Sequence, residues 1–515
     1  MSSFTRRRFL GGLGAAGFPA ILRARAQRPD FVFFLTDDQR FDALSCAGNR
    51  ILQTPHMDRI ANEGVRFSQA FVSNSLCSPS RGTIVTGMYS HAHGVTWNTG
   101  PSHELNPSLP TFPKLLQQAG YFTAINGKWH IRSMPEGFDH SCILPGQGLY
   151  HDPIMIAGRT RVRMRGYVDD VIGDQSIETL RNRPKGRPFC LLCWFKAPHR
   201  AWEPPRRYQH AYEDLEIPPP PTFGRGLEDR PNAIRDSDLQ IADMPDFYGL
   251  GVPATAPREE QKRLNYQHYV KQYYRVLRAV DDNVGRVLDC LDREGLAENT
   301  FVLHSADNGF FMGEYGLFDK RMMYEPSIRV PMLARYPAGF RGGRVDGENM
   351  VLNNDICHTI LDYAGVARPE SMARHGASWR PILEGGAAQW RQSWLYEFFE
   401  YPAVGCVGKI RGVRTRRSAT NSARNSNAFA TQLTTTAPRT TPRPRSAPFA
   451  SPADRGGRAA KRRRAASGAG CQWGGAPLRA GAAGPPNLGG AQLPGGAYPR
   501  PAPPCRRPSL ATKLD

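Results

Sequence analysis

Long hydrophobic runs are missing from this chain. No stretch of its 515 residues approaches the roughly 20 apolar residues that a membrane-spanning helix needs, so no span is expected. Cysteine is sparse and scattered, with 10 in all, and that dilution implies no disulfide framework. Acidic residues are missing from both ends. Met1 to Arg28 holds six Arg and no acid, a charge of +6, while Arg414 to Asp515 holds 18 Lys and Arg against 2 Asp, a charge of +16. The stretch between them carries 43 Lys and Arg against 44 Asp and Glu, or −1. The whole-chain charge of +21 therefore says little about the body of the protein. The basic C-terminal run lacks interleaved aromatics, so no specific nucleic-acid partner is expected from it. What is present is 40% hydrophobic and 22% charged residues, enough to bury a core, in a length that suits two or three domains.

The first 28 residues read as an address. Arg6-Arg7-Arg8-Phe9-Leu10 precedes a weakly apolar Gly/Ala stretch that ends in Ala24-Arg25-Ala26. That order resembles a twin-arginine signal, which exports proteins already folded. The resemblance implies the export machinery as a partner and a bacterial periplasmic or secreted location. It also lets a cytoplasmic modification precede transport.

From Asp30 on, short continuous apolar runs alternate with helical patterns. Phe31 to Thr36, Tyr121 to Ile125, Phe189 to Phe195 and Thr300 to Ser305 read as strands buried on both faces. Leu109 to Ala119 and Asn265 to Glu294 read as helices. This alternation predicts an α/β fold with a large, mostly parallel sheet sandwiched by helices. Ligands in such folds gather beyond the carboxyl ends of the strands. Those ends carry Asp37-Asp38, Lys128 and His130, Lys196 and His199, and Asp307-Asn308. Tyr212 to Pro257 is Pro-rich and is expected to be a long surface loop.

The richest stretch is Cys77-Ser78-Pro79-Ser80-Arg81, followed by Gly82 to Gly87. A lone Cys is most often a plain buried thiol. Here Pro79 suits the first turn of a helix. That places Cys77 at a helix N-terminus, where anions are favoured, with Arg81 one turn on. Two oxygen-rich pairs, Asp37-Asp38 and Asp307-Asn308, each directly follow an apolar strand. Cys190-x-x-Cys193 is read as two core thiols. His91 and His93 are left open between the substrate pocket and a turn role, and Glu314 and Asp319 are given none.

This constellation resembles the formylglycine-dependent sulfatases, of the alkaline phosphatase-like superfamily. Their signature is Cys-x-Pro-Ser-Arg followed by a Leu-Thr-Gly-like element, here Val85-Thr86-Gly87, with Gly82 where Ala is usual. The resemblance implies that a formylglycine-generating enzyme converts Cys77 to an aldehyde whose hydrate attacks sulfur. It implies that Asp37, Asp38, Asp307 and Asn308, with the modified Cys77, hold one Ca²⁺. In Gly127-Lys128-Trp129-His130, Lys128 would neutralise sulfate oxygens and His130 would be a base. His199 of Ala197-Pro198-His199 and Lys320 would assist the leaving oxygen, and Arg81 would be a further cation against the negative charge of the transition state. The expected activity is hydrolysis of a sulfate ester on a sulfated carbohydrate. Gly94 to Asn98 resembles the branch that desulfates N-acetylglucosamine and other glycans. A phosphonate or phosphate-ester hydrolase of the same superfamily, and an inactive carbohydrate-binding relic, are the alternatives.

The expected organisation is a signal peptide over 1–28, a catalytic domain over 29–365, an incomplete C-terminal subdomain over 366–415 and a low-complexity tail over 416–515. The family's small antiparallel sheet starts at Ser393 to Phe399 and resumes at Gly412 to Thr415. The aliphatic pattern then stops, and Arg, Ser, Thr, Pro, Gly and Ala take over. Such composition cannot bury a core and is expected to be disordered. A reading-frame shift near Arg416 accounts for a break inside a recognisable strand. Translating the encoding DNA in the other two frames is expected to restore an aliphatic strand pattern after Thr415; if neither frame does so, the explanation fails.

Overall fold

Phe31-Val32-Phe33-Phe34-Leu35 has no polar side chain to present to water, and the strand it forms, β1 (Asp30–Thr36), is buried along its whole length. The computed structural model describes residues 28–235, 237–244, 256–386 and 389–416. The twin-arginine segment and the basic tail expected from the sequence lie outside those residues.

β1 sits inside a ten-stranded sheet. The other strands in chain order are β2 (Val65–Phe67), β3 (Phe122–Lys128), β4 (His140–Leu144), β5 (Ile154–Ala157) and β6 (Thr160–Arg163). They continue with β7 (Phe189–Trp194), β8 (Thr300–Ala306), β9 (Met332–Arg335) and β10 (Arg344–Asp346). The order across the sheet is β10-β2-β9-β8-β1-β7-β3-β4-β5-β6. The run from β8 to β4 is parallel throughout. Antiparallel strands flank it on both sides, β9 against β8 and β2, and β5 and β6 beyond β4. The expected α/β sandwich is therefore present, with a parallel centre and mixed wings.

Two groups of helices cover the sheet. One contains α1 (Pro55–Asn62), α4 (Val168–Asn182) and α5 (Arg258–Arg293), with α5 packed on the other two. The second contains α2 (Cys77–Thr86), α3 (Phe112–Gln118) and α6 (Asn353–Tyr363), with α6 packed on α2 and α3. Helix α3 begins three residues later than the pattern suggests, because Thr111 is its N-cap and accepts from Lys114 N at 3.4 Å. Helix α5 begins earlier, because its first two turns, Arg258 to Leu264, are polar and carry no apolar stripe. Among the described residues no helix is long and apolar enough to cross a membrane. The Pro-rich stretch expected as a loop holds short helical turns and an isolated bridge from Gln240 to Leu317 over its described part.

Beyond the sheet, β11 (Ser393–Phe398) pairs antiparallel with β12 (Ile410–Thr415), from Ser393 opposite Thr415 to Phe398 opposite Ile410. Both strands fall where the sequence placed them, and they form a two-stranded sheet among the described residues. Tyr396 anchors this hairpin by donating from its hydroxyl to Arg321 O at 2.6 Å.

The carboxyl ends of β8, β1, β7 and β3 lie side by side and bring the predicted acidic and basic residues to one edge. Gly127, near the end of β3, makes this close approach possible. Its φ is +113°, and a Cβ there would stand 1.9 Å from Trp194 O of β7. Gly127→Ala is expected to cost more than about 2 kcal/mol, read as a lower denaturant midpoint with an unchanged slope.

Candidate active site

Helix α2 is buried from end to end. Its first residue is Cys77, whose neighbours are set by backbone amides that have no partner in the preceding turn. Arg81, one turn on, is fully buried and reaches the ends of four central strands. Its Nη2 lies 2.9 Å from Asp37 Oδ2 beyond β1, and its Nε lies 2.9 Å from Asp307 Oδ2 beyond β8. Nη1 donates to Lys128 O at the end of β3, and the guanidinium lies 5.3 Å from the ring centre of Trp194 on β7.

Around this anchor the predicted residues converge. Asp37 also pairs with Lys128 Nζ at 2.5 Å. Burial alone would raise its pKa, but Lys128, Arg81 and Lys320 hold it well below the usual carboxylate range. Lys320 Nζ donates to Asp38 Oδ1 and lies 3.1 Å from Cys77 Sγ, while Cys77 Sγ is 3.5 Å from Asp37 Oδ1. Burial pushes the Cys77 thiol far up, helped by Asp37, so it stays protonated at neutral pH. Burial also pushes His130 and His199 well below the ordinary imidazole value, with Lys128 next in importance for both. Both are neutral here. His199 Nε2 faces Asp38 Oδ2 at 3.9 Å. His130 faces the hydroxyl of Ser78, with Nδ1 to Oγ at 3.4 Å.

Asp37, Asp38 and Asp307 offer carboxylate oxygens that lie within 4.8 Å of one another. Burial raises Asp38 to about 7 and also raises Asp307, against the pull of Lys320 on the first and Arg81 on the second. Asn308 donates from Nδ2 to Asp38 Oδ1 at 2.6 Å, which turns its Oδ1 the other way. Asn308 Oδ1 and Asp38 Oδ2 are buried oxygens with no hydrogen-bond partner. Crowded carboxylates and orphaned oxygens are what a hard divalent cation would satisfy. The four oxygen donors among the five predicted metal ligands thus fit such an ion, and the fifth, Cys77, lies beside them with Sγ 3.5 Å from Asp37 Oδ1.

Backbone strain is concentrated here as well. Asp38, His130, Asp319 and Arg321 all have positive φ, between 55° and 83°. None is a glycine, so the surrounding contacts must enforce these conformations.

Several contributors escaped the sequence reading. Gln147, in the loop between β4 and β5, accepts from Lys128 Nζ with its side chain and from Lys196 Nζ with its carbonyl. Lys196 is itself buried, 4.4 Å from the ring centre of Tyr150. Ser78 N donates to Asn98 Oδ1 at 3.0 Å, and Asn98 N donates to Glu400 at 3.0 Å. The C-terminal hairpin is therefore linked, through Asn98, to the residue beside Cys77. Asp319 is a buried carboxylate between Arg200, at 3.3 Å, and Arg321. His103 Nε2 lies 2.8 Å from Ser78 Oγ. Apart from Lys196, which closely follows β7, the spacing of none of these residues marks them.

The open readings are also resolved. His93 is buried under α2, with Nε2 3.0 Å from Thr83 Oγ1 and Nδ1 accepting from Val95 N at 3.1 Å, so its role is structural. His91 pairs with Glu397 of β11 at 2.7 Å. Glu314 pairs with Arg40 at 2.8 Å. Cys190 and Cys193 are buried free thiols. Gly82, where the resembled signature has Ala, now has a reason. A Cβ there would stand 2.8 Å from His93 Cε1, so glycine and the buried imidazole go together.

Comparison with known proteins agrees with this geometry. The family model described as Sulfatase matches residues 29–366, and one described as N-sulphoglucosamine sulphohydrolase, C-terminal, matches residues 313–420. With its catalytic region matched over that length, the chain belongs to the sulfatase family. It is 37% identical over 455 residues to an N-acetylglucosamine-6-O-sulfatase of Bacteroides thetaiotaomicron, covering 79% of this chain and 80% of that protein. It is 29% identical to the human N-acetylglucosamine-6-sulfatase, covering 76% and 70%. A solved structure in complex with its substrate D-glucosamine-2-N,6-O-disulfate superposes with a TM-score of 0.70 at 37% identity, covering 76% of this chain and 87% of that one. A phosphonate monoester hydrolase from Silicibacter pomeroyi shares the fold at 21% identity, with a TM-score of 0.60 and coverage of 75% and 85%.

Calcium chloride is expected to raise the melting temperature of the chelator-stripped protein. The gain approaches about 2.7 kcal/mol at a hundredfold excess over the dissociation constant. Asn308→Ala should shift the midpoint of that titration to higher calcium while leaving the metal-free melt little changed.

Proposed function

We propose that this sulfatase removes the 6-O-sulfate from a glucosamine residue of a sulfated carbohydrate, after conversion of Cys77 to formylglycine and with one Ca²⁺ on Asp37, Asp38, Asp307 and Asn308. The observation that carries the reading is the placement of Cys77. It stands at the N-terminus of a buried helix, 3.1 Å from Lys320 Nζ and beside a cluster of carboxylate oxygens. The sugar is suggested by relatives whose printed names and bound substrate specify 6-sulfated glucosamine.

As a buried, protonated thiol Cys77 is a poor nucleophile, which supports its conversion. Formylglycine, when hydrated, supplies an oxygen nucleophile and a second hydroxyl from which the aldehyde re-forms. Ca²⁺ supplies charge for the sulfate oxygens. The remaining work falls to side chains. Lys128 and Lys320 flank Cys77 from opposite sides of Asp37 and neutralise the charge that grows on the sulfuryl oxygens as the S–O bond lengthens. Lys320 stays protonated, since Asp38, Asp37 and Asp319 together outweigh its burial. It can hand a hydrogen bond and then a proton to the departing alcohol oxygen, with neutral His199 as a second hydrogen-bond donor. Neutral His130 can accept the proton released when sulfate is expelled. One water is consumed overall, and the ester yields an alcohol and sulfate.

The N-terminal arginine run supports a periplasmic or secreted location, with the formylglycine-generating enzyme and the export machinery as earlier partners. The break after β12 supports an out-of-frame tail beyond Thr415. Val413 of that strand is 47% exposed, as expected where further strands are lost.

The protein co-produced with a formylglycine-generating enzyme is expected to release sulfate from N-acetylglucosamine 6-sulfate and not from aryl phosphate diesters. Mass spectrometry of the Cys77 peptide should show the aldehyde; an active protein with only unmodified thiol would sink the mechanism. Lys320→Ala should lower kcat by about 10²–10³, and Cys77→Ala should leave only background.

A further inference from the structure

We infer that the open edge of the sheet at β6 is a binding face for the sulfated polysaccharide chain from which the reacting sugar projects. The inference rests on the proposed activity for its choice of polyanion.

Arg159, Arg161, Arg163 and Arg165 recur at every second position, and all four are exposed. β6 is the last strand in the sheet order. The pairing extends past its end, with Met164 N donating to Pro153 O at 2.9 Å and Asp152 N to Gly166 O at 2.8 Å. Alternate residues of a strand share a face. Arg161, Arg163 and Arg165 therefore point one way, and Val162 and Met164 the other, where Met164 packs on the core. At about 3.3 Å per residue, those three arginines span about 13 Å, and Arg159 in the turn prolongs the row.

Among the described residues none of the four has a carboxylate partner. The one acid on the hairpin, Asp152, is turned onto Gly166 N at 2.8 Å. Such a row is unusual on a body whose net charge is −1. Charged side chains on an edge strand also discourage edge-to-edge pairing, but that purpose does not require one sign. Four unpaired cations in a line suit an extended polyanion, and guanidinium groups match sulfate oxygens two at a time.

The direction of the row links it to the site. Ile154, at the start of β5, faces Arg163, while Ile156 faces Arg161. The start of β5 lies beyond the carboxyl end of β4, on the side where the catalytic residues collect. The connecting loop carries Gln147, which touches Lys128, and Tyr150, whose hydroxyl donates to His199 O. The row therefore starts beside the active-site loop at Arg165 and leads away along the sheet edge. A sugar held over Cys77 could trail its chain along it.

The test compares the full chain with Arg161→Gln/Arg163→Gln/Arg165→Gln, and with a control that neutralises Arg50, Arg181 and Arg341, exposed elsewhere. The probes are N-acetylglucosamine 6-sulfate and a heparin octasaccharide. Exposed ion pairs are each worth a few-fold at most, so the edge variant should weaken octasaccharide binding about tenfold. It should raise KM for desulfation of the octasaccharide to match, leave the monosaccharide kinetics unchanged, and lose the difference near 1 M salt. Equal octasaccharide affinity in all three proteins would overturn the inference, as would an equal loss in the control. A greater loss for a DNA duplex of the same charge would reassign the face and overturn it too. Failure of every protein on the monosaccharide would count against the proposed activity alone, because octasaccharide binding still decides the face.

Discussion

A single buried guanidinium holds this site together. Arg81 rises from the first turn of α2 and touches the ends of four neighbouring strands: Asp37 after β1, Asp307 after β8, the carbonyl of Lys128 on β3 and the ring of Trp194 on β7. Burying a cation so deeply costs several kcal/mol unless it is paired and fully hydrogen-bonded. Two carboxylates and a carbonyl offset that cost. The same contacts set the spacing between the nucleophile position and the metal-binding oxygens. The sheet's parallel centre is what makes this economical, because it delivers all four strand ends to one place.

The pairing leaves the site electrically poised. Arg81, Lys128 and Lys320 face Asp37, Asp38 and Asp307, three cations to three carboxyl groups, of which burial raises the pKa of the last two, while His130 and His199 are neutral. A divalent ion added to that set makes the centre cationic, which is what a sulfate monoester requires. Outside this set, Asp319 joins Arg200 to Arg321, and Arg321 lies 3.8 Å from Glu400. That second network ties the strained backbone around Lys320 to the C-terminal hairpin.

Much of this was legible in the sequence, for a physical reason. Strands covered on both faces must be apolar throughout, so β1, β7 and β8 announce themselves, and the polar residues directly after them fall at the ligand end. The flanking strands β2, β9 and β10 are only three or four residues long and have no comparable pattern. Gln147, Asn98 and Glu400 come from loops whose path depends on tertiary packing, so no spacing announces them. The positive φ of Asp38, His130 and Arg321 is likewise imposed from outside, since none of these residue types requires it. Gly82 was visible only as a departure from a pattern, and its explanation had to wait for His93.

Cys77 has no exposed surface, and neither has any other residue of its helix beyond a trace. Another enzyme's active site cannot close around a thiol in that position. Any catalyst that acts on it must meet residues 77 to 86 as an extended segment, before α2 docks against the sheet. For the proposed conversion of Cys77, folding is therefore a deadline: a chain that packs this helix first would keep its thiol, however much modifying enzyme surrounded it.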